Sequence, residues 1–285
     1  MQNTVNNWLD EWLEVYVKPC KKEKTYRCYD DAIKRIRRQG PEFLYKMVNE
    51  VHELEVQIFI NSLASNYAKS TLNDMRVVIN QSFLIATRNR YCDVNPIGKL
   101  SIPKEASQKN VRALTQSEQI KVEQAAKRDI LGYIVLFFLY TGIRSSELCS
   151  LKWEDYNSDK ESIRIIESKT RAGVRTIPLI PEANNIINSL PHYNDYIFNS
   201  TRKSPVTESV LKRLYQRMRR ETGIDFLTNH VYRHSFATRL IENGVDYKAL
   251  SVLLGHTDIA FTLRQYTTAE DNFLKQQIYL LHRSA

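Results

Sequence analysis

The chain has 285 residues, 42% hydrophobic and 26% charged, with only 8 glycines and 8 prolines; this excludes a low-complexity polymer and fits one or two helix-rich globular domains. A formal net charge of +9 points to a polyanionic partner, either nucleic acid or an anionic surface. The longest apolar run, Ile130 to Tyr140, is too short to cross a bilayer, and Asp10, Glu11 and Glu14 interrupt the first residues where a signal peptide would be apolar, so a cytoplasmic protein without a membrane partner is expected.

In chain order, Trp8, Leu9, Trp12, Leu13, Tyr16 and Val17 recur at helical spacing. Tyr29, Ile33 and Ile36 continue that period on a second helix carrying Lys34, Arg35, Arg37 and Arg38, which Gly40-Pro41 ends. The pattern predicts a third helix over about Val48 to Leu63. A fourth is predicted over Ser70 to Tyr91, with Ser70 or Thr71 as its cap and Asn95-Pro96 as its stop. Ser101 to Leu114 is polar, aperiodic and contains Pro103, so it reads as an exposed linker. Thr115 with Glu118 forms a capping box that opens the next helix. An apolar helix over Ile130 to Tyr140 and a short one over Ser145 to Leu151 follow. Short β signals lie at Trp153 to Tyr156, Ser162 to Glu167 and Val174 to Pro178, and the rest is helical. Cys20, Cys28, Cys92 and Cys149 show no paired spacing and read as free thiols.

The fold class is thus mainly α. A helical domain over 1–100 and a linker over 101–113 precede a mostly helical domain over 114–285 with a small antiparallel β-sheet.

Several polar residues of the second domain are unremarkable singly. Arg144 follows a glycine turn in TGIRSSEL, Lys169 lies in a hairpin turn, and His230 and Arg233 share a helix face in HVYRHSFATRL. His256 follows a glycine in LLGH, and Tyr266 lies in the polar stretch TLRQYTTAED. His230 and His234 have the spacing of a helical zinc pair, but Val231 stands where a zinc peptidase has its glutamate and Arg233 sets a cation between them. No metal site is expected.

As a set, two arginines, a lysine, two histidines and a late tyrosine suit phosphodiester chemistry without a metal. Guanidinium forks match the nonbridging oxygens, whose charge grows in the transition state. A tyrosine, with a pKa around 10, needs a base or a cationic surround to attack. The leaving oxygen needs a proton, which a lysine can supply.

In order and spacing, TGIRSSEL, the hairpin lysine of SKTRAGVRTIPL, HVYRHSFAT, LLGH and the downstream tyrosine resemble the boxes of the tyrosine recombinase (phage integrase) family. The resemblance is close from about Leu114 onward, and the first domain looks like the family's helical, SAM-like core-binding domain. It implies that Tyr266 attacks the phosphate to give a 3′-phosphotyrosine, while Arg144 and Arg233 hold the phosphate. Lys169 would protonate the leaving 5′ oxygen, His230 would be the acid–base partner of the tyrosine, and His256 would hydrogen-bond the phosphate. Glu147 would orient Arg144. No cofactor is implied, since the phosphotyrosine conserves the bond energy.

Two departures stand out. Nine residues separate His256 from Tyr266, where many relatives have eight. The arm-binding domain that many integrases carry ahead of the core-binding domain is not expected here. Tyr279, in the apolar run IYLL, suits packing better than attack.

The resemblance also implies a homotetramer on double-stranded DNA at a specific recombination site. The two domains would clamp the duplex, and a C-terminal tail (NFLKQQIYLLHR) would dock on a neighbouring protomer. A directionality factor in a prokaryotic host would complete the set of partners. Candidate phosphate contacts are Arg35, Arg38, Lys69, Arg76, Lys212, Arg213 and Arg217. Integration or excision of a mobile element is the leading role. A Xer-like chromosome dimer resolvase is the alternative, ahead of a type IB topoisomerase or a DNA-binding protein that no longer cuts.

Overall fold

The computed structural model describes residues 3–93, 95, 97–108, 112–166 and 173–255. The chain divides into two compact units, Met1–Asn110 and Val111–Ala285.

The first unit is helical: α1 (Val5–Trp12), α2 (Glu23–Gln39), α3 (Glu53–Ser62) and α4 (Lys69–Arg88). The apolar stripe of α2, Ala32, Ile33 and Ile36, is buried against α4, whose Leu72, Met75, Val78, Ile79 and Phe83 are buried in turn. Trp8 locks α1 onto α4 by donating its indole N–H to Ser82 O at 3.0 Å. Gly40, at φ +60°, ends α2 in the left-handed conformation that the Gly-Pro pair predicts.

Three local differences from the sequence expectation have physical causes. The helix expected over Val48 to Leu63 is interrupted: a 3₁₀ turn over Val48–Glu50 gives way to α3, because the Glu55 carboxylate accepts the His52 N–H (2.8 Å) and starts a new helix there. α4 starts at Lys69 with Ala68 at its cap position, so neither Ser70 nor Thr71 caps it; the Lys69 N–H is taken by Ser107 O (2.9 Å). Ser107 lies in the stretch expected to be an exposed linker, and residues 100–107 are a strap across this unit instead. Leu100 and Ala106 are buried, and Gln57 exchanges two hydrogen bonds with the Ser101 backbone.

The second unit is built around α6 (Gly132–Thr141), which buries Ile134, Val135, Phe137 and Phe138. Packed with it are α5 (Gln116–Arg128), α8 (Pro181–Asn188), α9 (Glu208–Thr222) and α10 (Asn229–Glu242). The capping box of α5 forms as expected: Glu118 N–H donates to Thr115 Oγ1 and Thr115 N–H to the Glu118 carboxylate. After α7 (Ser145–Ser150) comes a three-stranded antiparallel sheet in the order β1 (Tyr156–Asn157), β2 (Ser162–Ile165), β3 (Arg175–Pro178). The strand expected over Trp153 to Tyr156 is mostly a 3₁₀ turn, because the Asp155 carboxylate caps the Lys152 N–H (3.1 Å). Ile165 pairs with Arg175 at the end of the β2–β3 ladder, and Lys169, expected in a hairpin turn, lies outside the described residues. α11 (Tyr247–Leu254) packs on α10 through Ala237, Ile241, Leu250 and Leu254.

Candidate active site

A glycine turn starts the site. Gly142 ends α6 at φ +61°, where an added Cβ would run into the Phe236 ring of α10. The turn is stitched to α10 by Asn229, which donates to Ile143 O (3.0 Å) and accepts from Ser145 N–H (3.1 Å). The next residue after Ile143 is Arg144, so its position is fixed from both sides.

Glu147 is the hub. It is 3% exposed, and its carboxylate takes four hydrogen bonds. Oε2 accepts the Arg144 N–H (3.0 Å) and Oε1 the Arg144 guanidinium (2.7 Å). Arg175 forks both oxygens at 3.0 Å. Burial, the largest influence, pushes the Glu147 carboxyl up; the hydrogen bond and charge of Arg175 and the bonds from Arg144 outweigh it and hold the pKa below the ordinary value. Glu147 is therefore a carboxylate at neutral pH.

The C-terminus of α11 is the second anchor. A helix end leaves carbonyls without partners, and its partial negative charge favours cations. Three arginines take three successive carbonyls here. Arg175 Nε donates to Leu253 O (2.7 Å), an Arg233 guanidinium N–H to Leu254 O, and Arg144 Nη2 to Gly255 O (3.0 Å). Arg233 also donates to Gly142 O (2.7 Å) and is buried, whereas the Arg144 side chain is one third exposed.

His230 stands at the exposed start of α10, one turn ahead of Arg233. Desolvation, then the charges of Arg233 and Arg144, lower its pKa below the usual histidine value, so it is neutral at pH 7. His234 is driven further, to about 4, by burial and by its neighbours His230 and Arg233. Tyr133, Tyr140, Tyr215 and Tyr232 in the same unit are all shifted upward by burial, so none of these four is an activated nucleophile.

The structure thus brings Arg144, Glu147, His230 and Arg233 together. Lys169, His256 and Tyr266 lie outside the described residues, as does the tail, although Gly255 immediately precedes His256. Sequence reading found the Gly142 turn but missed Arg175 and Asn229. A signal for Arg175 existed: it shares a strand face with Ile177, and an arginine on the buried face of a strand needs a partner.

The expected DNA contacts separate into two kinds. Arg217 forks Asp129 (2.6 and 2.9 Å), and Arg76 donates to Leu100 O and Asn73. Arg38, Lys212 and Arg213 are exposed, with no ion pair to another described residue; Arg35 and Lys69 are half-buried. Among the described residues no helix is long and apolar enough to cross a membrane, and no three His, Cys, Asp or Glu side chains group as metal ligands.

The phage integrase family model matches residues 106–272, more than half of the chain. A tyrosine recombinase described as XerC-like, from Caldanaerobacter subterraneus subsp. tengcongensis, is 25% identical, across 93% of this chain and 79% of its own length. The transposase from transposon Tn916 of Enterococcus faecalis is 27% identical over 72% of this chain, which spans 60% of that protein. The Tn1549 transposon integrase, solved in complex with transposon right end DNA, has the same fold, with a TM-score of 0.82 at 19% identity over 98% of this chain and all of that one (100%).

Proposed function

This chain belongs to the phage integrase family and is a tyrosine recombinase, and from that premise we propose that it cuts and rejoins duplex DNA at a specific site through Tyr266 to move a mobile element. The observation that carries the reading is the pair Arg144 and Arg233, anchored on the carbonyls of Gly255 and Leu254 beside a neutral His230.

The Tyr266 oxygen attacks the scissile phosphorus, and His230 takes the phenolic proton. The bond to the 5′ oxygen breaks, with Lys169 supplying the proton of the resulting hydroxyl. Arg144 and Arg233 offer N–H donors to the nonbridging oxygens, and His256 adds a hydrogen bond. The product is a 3′-phosphotyrosine. A 5′ hydroxyl from another strand reverses the step on that intermediate, so exchange of strands requires no ATP.

The unit Met1–Asn110 serves as the core-binding domain and the unit Val111–Ala285 as the catalytic one. Arg38, Lys212 and Arg213 are the preferred phosphate contacts, since they have no described ion-pair partner. The assembly is a homotetramer on DNA linked by the C-terminal tail, with a directionality factor choosing between integration and excision.

A second role, chromosome dimer resolution, is favoured by the XerC-like relative, which aligns with 93% of this chain. Sequencing DNA trapped covalently on the protein in its host separates the two: element ends support the first and a single chromosomal locus the second. Tyr266→Phe is expected to abolish the covalent adduct while leaving DNA affinity within about threefold. Residual adduct in that variant removes Tyr266 from its role.

A further inference from the structure

Glu147 poses an electrostatic problem for the site. A buried carboxylate beside Arg144 neutralises the charge that Arg144 must present to a phosphate. Left alone, the two would form a closed pair with no net charge. The same carboxylate could also draw the Arg144 guanidinium, which is one third exposed, into a fork over both of its oxygens.

Arg175 answers both points. Its side chain is 2% exposed, and it is the second cation on a single carboxylate. It occupies both Glu147 oxygens at 3.0 Å and so fixes the carboxylate plane. Arg144 is left one guanidinium contact, on Oε1, and one backbone contact, on Oε2. With Arg175 present the three side chains carry a net single positive charge; without it they carry none. Arg175 also donates to Gly173 O (2.9 Å) and to Leu253 O (2.7 Å), beside the carbonyls of Leu254 and Gly255 that hold Arg233 and Arg144. One buried side chain therefore connects strand β3, helix α7 and the end of helix α11.

We propose that Arg175 is a positioning residue for strand cleavage: it neutralises Glu147 and fixes its orientation, so that the charge and donors of Arg144 stay directed at the scissile phosphate. This rests on the reading of Arg144 and Arg233 as the phosphate-holding pair. A residue that only stabilised the fold would lower activity in step with the folded fraction. A residue that sets the charge on Arg144 can be compensated elsewhere, and Glu147 is the place.

The test uses the full chain and a nicked duplex carrying the site recovered with the wild-type protein by covalent trapping. Single-turnover adduct formation, DNA affinity and thermal melting are measured for Arg175→Met, Arg175→Lys and the double variant Glu147→Gln/Arg175→Met. Arg175→Met is expected to cleave about 100-fold more slowly, with DNA affinity within about threefold of wild type. Arg175→Lys keeps the charge but not the fork, and should fall between the two. In the double variant no carboxylate is left to neutralise Arg144, so cleavage should recover about 10-fold over Arg175→Met. Cleavage within about threefold of wild type in both single variants overturns the proposal, as does a rate loss that follows the folded fraction or a double variant no faster than Arg175→Met. Absence of an adduct with the wild-type chain is a different failure: it removes the reading of the site, and this inference with it.

Discussion

A histidine can act as a base toward a tyrosine only while its ring is neutral. His230 meets that condition at pH 7 because partial desolvation and the charges of Arg233 and Arg144 lower its pKa. The sign follows directly. A lowered pKa means that His230 is half-protonated only at a pH below the ordinary histidine value of about 6.5. The acid limb that this group imposes on cleavage of the nicked substrate should therefore have its midpoint below about pH 6.5. A single-turnover pH profile checks this, and an acid limb centred above pH 7 that vanishes in His230→Ala would contradict it. At this scale the site was legible where the motif is local: Arg144, Glu147, His230 and Arg233 each stand in a short recognisable box. Arg175 was not legible. Its partners, Glu147 and Leu253, lie 28 and 78 residues away in sequence, and only folding brings three guanidiniums to one helix end.

At the scale of elements, the segment from the end of α6 to α7 depends on one glycine in two ways. Gly142 has φ +61°, and an added Cβ would strike the Phe236 ring. The left-handed conformation costs an alanine about 1–2 kcal/mol, and forcing a methyl group into a packed site adds roughly 1–3 kcal/mol. Gly142→Ala should thus destabilise by about 2–5 kcal/mol in urea unfolding, on the sum of those two costs. Gly223 is a matched control, since it has φ +71° but nothing within 4 Å of an added Cβ. Gly223→Ala should show the conformational cost alone, and equal losses in the two variants would refute the steric argument. Because Gly142 O accepts from Arg233, the same substitution should slow cleavage beyond its effect on folding. Helix periods and stops were readable ahead of the structure at Gly40 and Thr115, where one residue's backbone or side chain decides the outcome. The break before α3 and the start of α4 were not, because a carboxylate at Glu55 and a carbonyl at Ser107 override the apolar period.

At the scale of the whole molecule, the net charge of +9 predicts DNA affinity that falls steeply with salt, but it does not say which cations take part. Two arginines one turn apart on α9 separate the possibilities. Arg213 is exposed with no described ion-pair partner, whereas Arg217 forks Asp129, which holds that carboxyl below its usual pKa. A cation already neutralised by a carboxylate displaces few counterions from DNA. Arg213→Ala should therefore lower the slope of log affinity against log salt by about 1. Arg217→Ala should leave that slope nearly unchanged and instead lower the melting temperature, because Asp129 loses the arginine that pairs with its half-buried carboxylate. Affinities for one duplex between about 50 and 300 mM salt, with melting curves for both variants, decide the matter. If Arg217→Ala shifts the slope as much as Arg213→Ala does, the Asp129 pair opens on DNA, and Arg217 joins Arg213 in contacting phosphate.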